Sequence, residues 1–142
     1  MFYEAAGPVD SIPEEVFFKN KITAPRILLI DDEKHIRTLY KMELEDEGYS
    51  VVTTGSGFSV IDKIEKEKHD IIILDIKLND SNGLDILSAL KSRFRQMPVG
   101  LCTAYEPFKG DMKSIAADFY VVKSHDLTEL KQNIASTLES CN

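Results

Sequence analysis

Along the chain, short continuous apolar runs alternate with longer stretches whose apolar positions recur at helical spacing. Five runs read as strands: Arg26–Ile30, Ser50–Thr54, residues 70–74, residues 98–103 and residues 119–123. A strand covered on both faces is continuously apolar rather than alternating. Residues 70–74 are the most apolar of the set, which predicts a central position for them.

Between the strands the period changes to that of a helix. Residues 33–47 place Ile36, Leu39, Tyr40 and Leu44 toward a core, and Gly48 supplies the stop. After the turn Gly55-Ser-Gly57, the residues Val60, Ile61 and Ile64 mark a second helix with a charged back face. A loop over residues 76–82 leads into a helix at 83–94 carrying Leu84, Leu87 and Leu90. Residues 106–117 predict a helix of weaker pattern, interrupted by Gly110; a glycine there costs about 1 kcal/mol relative to alanine. Leu127, Leu130, Ile134 and Leu138 form the apolar stripe of a last helix. This alternation predicts an α/β fold, a flavodoxin-like (βα)5 doubly wound parallel sheet with strand order 2-1-3-4-5.

Residues 1–24 stand apart, with Gly7, Pro8 and Pro13 and no sustained period. They read as an extension or linker, or as a short helix capped by Ser11 whose Val16, Phe17 and Phe18 pack on the main domain or on a partner. Residues 25–142 form one domain. At 142 residues the chain suffices for one core and is short for two. No apolar run approaches the ~20 residues of a membrane span. The start lacks the basic flank and apolar stretch of a secretory signal. These features lead to the expectation of a cytoplasmic protein with no membrane partner.

A net charge of −7, from 24 acidic and 17 basic residues, argues against direct nucleic-acid binding, which needs a basic face. Of the two cysteines, Cys102 lies inside an apolar run and reads as a buried small hydrophobe. Cys141 lies beside the terminus and is expected to be mobile. His35, His69 and His125 have no metal-ligand spacing and read as surface residues.

The strand ends carry the chemistry. Ile27-Leu-Leu-Ile-Asp31-Asp32, Ile71-Ile-Ile-Leu-Asp75, Pro98-Val-Gly-Leu-Cys-Thr103 and Phe119-Tyr-Val-Val-Lys123 each finish in a reactive polar residue. Open α/β sheets bind ligands at the carboxyl ends of their strands, at the switch point in strand order. Strands 1 and 3 would be neighbours there, bringing Asp31, Asp32 and Asp75 together. Clustered carboxylates repel unless a cation or proton intervenes. A hard cation such as Mg²⁺ binds through one or two carboxylates and phosphate oxygens, leaving one carboxylate able to act as a nucleophile. A lysine and a hydroxyl would then help neutralise a transferring phosphoryl group. Taken singly, each residue has a plainer reading. Asp31 and Asp32 are good N-caps for the next helix, Asp75 suits a turn, and Thr103 and Lys123 suit an ordinary strand end. Their joint occurrence at one end of four strands favours a site.

With these motifs in view, residues 26–138 resemble the receiver domain of two-component response regulators. The resemblance rests on Leu28-Leu-Ile-Asp-Asp-Glu33, Ile72-Ile-Leu-Asp75, Asn82-Gly-Leu84, Leu101-Cys-Thr-Ala104 and Ala117-Asp-Phe-Tyr-Val-Val-Lys123. It implies that Asp75 accepts a phosphoryl group from a sensor histidine kinase or histidine phosphotransfer protein. It further implies that Asp31, Asp32, Asp75 and the backbone carbonyl of Lys77 hold Mg²⁺. Lys123 would pair with a phosphoryl oxygen, Thr103 would be the switch hydroxyl, and Tyr120 the rotating aromatic. The face built from the fourth helix, fifth strand and last helix would act on a downstream protein or relay phosphate. The chain would not be an enzyme beyond self-phosphorylation and self-dephosphorylation.

Several positions depart from the family pattern. Ser124 follows Lys123 where a proline is usual, and without proline a cis bond there would cost roughly 2.5–4 kcal/mol. Asn79 replaces a proline in the loop after the acceptor, implying a looser loop, and Ala116 replaces a glycine before the fifth strand. Gly110 loosens the fourth helix. Lys77 and Tyr105, two positions past Asp75 and Thr103, would flank the phosphoryl group. Their bulk would obstruct an in-line water and slow self-dephosphorylation, unless both point to solvent. A Rossmann-like aspartyl-phosphate phosphatase is the alternative, but it would need an acid where Lys77 stands. A non-phosphorylated interaction module would predict loss of the acids, the threonine or the lysine, and all are present. Whether this receiver stands alone or belongs to a longer protein is left open by the sequence.

Overall fold

The computed structural model describes residues 24–104 and 116–141. Five strands form one parallel sheet: β1 (Arg26–Ile30), β2 (Ser50–Thr54), β3 (Ile71–Leu74), β4 (Val99–Thr103) and β5 (Phe119–Val122), in the order β2-β1-β3-β4-β5. Four helices lie among the described residues: α1 (Lys34–Asp46), α2 (Val60–Lys66), α3 (Gly83–Arg93) and α4 (Thr128–Ser140). The strand order is the expected one, and β3 is central. The helix expected at 106–117 falls almost wholly outside the described residues, as does the whole 1–23 segment. Its last two positions, Ala116 and Ala117, are not helical.

Alternation along the strands sends successive side chains to opposite faces. Ile27, Leu29, Ile71, Ile73, Cys102 and Val121 pack beneath α1 and α4, against Tyr40, Leu44, Leu130 and Ile134. Leu28, Ile30, Ile72, Leu74, Val99 and Leu101 pack on the other face, against Val60, Ile64, Leu87 and Leu90 of α2 and α3. Every side chain of β3 is fully buried. Each such Leu or Ile contributes ~1.5–3 kcal/mol relative to exposure, so the centre of the sheet dominates stability. Gly48 adopts a φ of +99° just after α1 and closes the helix as expected. No described helix is long and apolar enough to cross a membrane.

Two expectations fail. Leu39 is 37% exposed rather than in the core. Only the stripe Ile36, Tyr40 and Leu44 of α1 meets the sheet, and Leu39 lies about 100° around the helix from Tyr40. His69 is 5% exposed rather than on the surface. The chain before β3 is drawn in by Asp70: its amide donates to the Arg26 carbonyl at 2.8 Å, and its carboxylate accepts from the Arg26 amide at 2.7 Å. Neither ring nitrogen of His69 has a hydrogen-bond partner. His35 and His125 are exposed and Cys102 is buried, as expected, while Cys141 is exposed.

Burial, joined by the positive charge of Arg26, holds the His69 imidazole below its usual range, with Glu67 opposing. An unfolded histidine takes a proton near pH ~6.5. The stability due to the neutral ring is therefore complete above that pH and falls as pH drops through it. Urea titrations at about pH 7.5 and about pH 5.5 are expected to show a smaller loss of stability for His69→Leu than for the wild type.

Candidate functional site

The parallel register determines where the polar residues emerge. Ile30 pairs with Leu74, so Asp31 and Asp75 leave adjacent strands side by side. Backbone bonds hold them there: the Asp31 amide donates to the Thr54 carbonyl and the Asp75 amide to the Ile30 carbonyl, both at 3.0 Å. Thr103 pairs with Val122, and the Lys123 amide donates to the Thr103 carbonyl at 2.7 Å. The four strand ends thus share one rim.

Asp31, Asp75 and Thr103 are buried, and Asp32 is half-buried. Carboxylate oxygens of Asp31, Asp32 and Asp75 lie within 4.8 Å of one another. The Lys123 ammonium sits 2.7 Å from Asp31 Oδ2, 3.0 Å from Asp75 Oδ2 and 3.2 Å from Glu33 Oε1. Asp31 Oδ1 accepts from the Glu33 amide at 2.9 Å, and Asp75 Oδ1 from the Lys77 amide at 3.3 Å. Asp31 is therefore not a helix cap. The N-cap of α1 is Glu33, which makes no side-chain cap bond. A cleft of about 500 Å³ opens above this group, lined by Asp32, Asp75, Lys77, Thr103 and Lys123, among others.

Burial pushes the Asp75 carboxyl above its ordinary range, against the opposing charge and hydrogen bond of Lys123. Burial also works to lower the Lys123 ammonium. The hydrogen bond it donates to Asp31 and the charge of Asp75 overcome it and hold the lysine above its usual value. Against the carboxylates of Asp31, Asp32, Glu33 and Asp75 stand the ammoniums of Lys123 and Lys77, which leaves the rim negative. Thr103 Oγ1 is fully buried and has no hydrogen-bond partner. A buried unpaired hydroxyl calls for an explanation; a ligand oxygen in the cleft would supply its partner. The all-oxygen donor set and the residual negative charge fit a hard divalent cation.

The loop after Asp75 is held at both ends. Lys77 and Asn82 form an antiparallel bridge, the Gly83 amide donates to the Ile76 carbonyl at 2.7 Å, and Asn82 Oδ1 caps α3 through the Leu84 amide at 2.8 Å. A Cβ on Gly83 would collide with the Asp75 carbonyl oxygen, so only glycine lets α3 start against the Asp75 backbone. At the loop's tip the Asp80 carboxylate accepts from Ser56 Oγ at 2.5 Å, the Gly57 amide at 3.1 Å and Ser81 Oγ at 2.8 Å. Asn79 for proline had implied a looser loop; Asp80 ties the tip to the β2–α2 connection. Tyr120 is half-buried on β5 against the α2–α3 side of the core. No described peptide bond is cis, so Lys123–Ser124 is trans.

A family model described as the response regulator receiver domain matches residues 27–135. The chain belongs to the response regulator receiver family. As a receiver it is similar to the probable transcriptional regulatory protein TcrX of Mycobacterium tuberculosis, at 32% identity over 79% of this chain and 49% of that protein. It is also similar to the alginate biosynthesis transcriptional regulatory protein AlgB of Pseudomonas putida, at 36% identity over 80% of this chain and 26% of that protein. The chain thus spans half or less of these relatives. Among solved structures, response regulator protein TrrA of Thermotoga maritima in complex with Mg²⁺ and BeF matches at 37% identity with a TM-score of 0.76, covering 80% of this chain and 98% of that one. A histidine kinase ThkA complex with TrrA matches at 38% identity with a TM-score of 0.75, covering 80% and 98% of the two chains.

The acids, threonine and lysine of this receiver were all legible as strand-end residues. Glu33, Gly83 and Asp80 were not singled out. Gly83 stood within the quoted Asn82-Gly-Leu84, and only the close approach to Asp75 explains it. Because the folded state raises the Asp75 carboxyl, its ionisation costs stability at neutral pH, and the cost disappears once pH falls below the unfolded carboxylate range. Asp75→Asn is expected to raise the melting temperature by a few degrees in chelator at neutral pH, and by less at about pH 4, measured by thermal denaturation.

Proposed function

We propose that residues 25–142 act in the cytoplasm as a phosphorylatable receiver, with Asp75 as acceptor. The observation that carries this is the buried Asp75 carboxylate sharing the Lys123 ammonium with Asp31 in a cleft that also holds the unpartnered Thr103 hydroxyl. A carboxylate oxygen of Asp75 attacks the phosphorus of a phosphohistidine on a sensor kinase or phosphotransfer protein. The new P–O bond forms as the P–N bond breaks, and the histidine nitrogen leaves with the electron pair. Lys123 moves from the Asp75 carboxylate to a phosphoryl oxygen, and Thr103 donates to another. Asp31, Asp32, Asp75 and the Lys77 carbonyl would hold Mg²⁺, which when bound screens the carboxylates from one another and neutralises phosphoryl charge. Tyr120 follows Thr103 inward, and the face including β5 and α4 carries the change to a downstream protein or a further relay step. Apart from this self-phosphorylation and self-dephosphorylation, no enzymatic turnover is assigned.

Exposed apolar side chains on and beside α1 support this helix as the partner's approach to Asp75. Met42 is 58% and Leu39 37% exposed on that helix, and Phe58 is 69% exposed on the neighbouring β2–α2 connection. The likeness to a receiver solved with a histidine kinase supports a kinase as phosphoryl donor. Lys77 is exposed at the cleft; with Tyr105, which lies outside the described residues, it would slow hydrolysis by hindering in-line water.

Incubation with Mg²⁺ and acetyl phosphate, read by intact mass, is expected to add one phosphoryl group to the wild type and none to Asp75→Asn. No gain in the wild type would overturn the reading. Met42→Asp is expected to slow transfer from a cognate histidine kinase roughly tenfold while leaving labelling by acetyl phosphate unchanged. Lys77→Ala and Tyr105→Ala should each speed loss of the phosphoryl group; unchanged rates in both would remove the hydrolysis proposal.

A further inference from the structure

Lys123 is the last residue of its run, and the chain turns away from the sheet immediately after it. Its amide is held by the Thr103 carbonyl at 2.7 Å. On its other side stands Ser124, in a trans linkage, exposed and without the ring of a proline to restrict it. Something else must hold that side, because the ammonium has to meet Asp31 and Asp75 at once.

Tyr40 is placed to do so. It lies on α1, is 2% exposed and packs in the core beneath the sheet. An aliphatic side chain would fill that space without a hydroxyl to satisfy. The Tyr40 hydroxyl donates to the Ser124 carbonyl at 3.2 Å, across 84 residues of sequence. Burial, reinforced by neighbouring Cys102, pushes the Tyr40 phenol up to about 12, so it remains a donor at working pH. The Ser124 side chain holds the next turn, with its Oγ accepting from the Asp126 amide at 3.1 Å. The backbone around Lys123 is thus pinned from the sheet on one side and from α1 on the other.

We infer that Tyr40 is a positioning residue for Lys123, acting through its hydroxyl on the Ser124 carbonyl from the helix that follows Asp31 and Asp32. The inference rests on the proposed receiver chemistry for its effect on rate, but its geometry can be tested apart from it. The helix that starts at the metal-binding acids then also sets the lysine, so cation site and phosphoryl clamp share one rigid support. A small misplacement of a reacting group can cost on the order of 10²-fold in rate; loss of this one bond is expected to cost about tenfold.

Tyr40→Phe keeps the ring and removes only the hydroxyl. It is expected to slow acetyl phosphate labelling by about tenfold in the wild-type background and to have no further effect in a Lys123→Ala background. In the unphosphorylated protein, NMR should show a slowly exchanging Tyr40 hydroxyl proton in the wild type. Tyr40→Phe should shift the Ser124 carbonyl and the Lys123 side-chain resonances. Wild-type labelling rates in Tyr40→Phe, or an equal slowing with and without Lys123, would overturn the inference. So would a freely exchanging hydroxyl with unmoved Ser124 and Lys123 resonances. If the wild type accepts no phosphoryl group, the receiver chemistry fails and the NMR comparison alone decides the role of Tyr40.

Discussion

The shared ammonium of Lys123 is the contact on which the rim of this sheet depends. Two buried carboxylates, Asp31 and Asp75, emerge from adjacent strands, and neither can move away without breaking ladder bonds. Unopposed, they would repel strongly in a poorly solvated place. Lys123 reaches both, at 2.7 and 3.0 Å, and amides of Glu33 and Lys77 satisfy the remaining oxygens. Buried ion pairs seldom add net stability, because desolvation offsets their attraction. The arrangement is better understood as a charge balance, in which one ammonium shared by two carboxylates keeps both at the rim.

That balance is possible because everything below it is stiff. β1 and β3 are fully or almost fully buried along their apolar lengths, with helices on both faces. A slip of one residue would turn every inward side chain to the wrong layer. The register therefore sets the separation of the acids as firmly as the core sets the fold. The loops above are tied by different means: Gly83 lets α3 abut the Asp75 backbone, and Asp80 fastens the loop after β3 to Ser56 and Gly57. Hydrogen bonds from those groups hold the Asp80 carboxyl below the usual carboxylate range, as expected for an anion the loop is built around. Thr103, by contrast, is buried with a hydroxyl that has no hydrogen-bond partner.

Much of this was readable along the chain, because strands of a doubly covered sheet are continuous apolar runs and their polar ends are conspicuous. Asp31, Asp32, Asp75, Thr103 and Lys123 needed no coordinates to be grouped. The failures share a cause. Leu39 was assigned inward from spacing, but the width of the stripe α1 buries depends on its angle to the sheet. His69 was assigned outward from polarity, but Asp70 draws its segment against β1. Asp80 was not singled out because its partners Ser56 and Gly57 lie some two dozen residues earlier.

The sequence by itself determined the layer order, the central strand and the identity of the chemical groups, since hydrophobic period and strand-end polarity are local properties. Only the tertiary structure decided how those groups are aimed. Tyr40 shows the difference most clearly. Its place in the helical stripe predicts a buried ring, and nothing local tells that its hydroxyl reaches the Ser124 carbonyl beside Lys123. Burial follows from the pattern of one segment, whereas a hydrogen bond between distant segments follows from the positions of both, and those exist only once the sheet has closed.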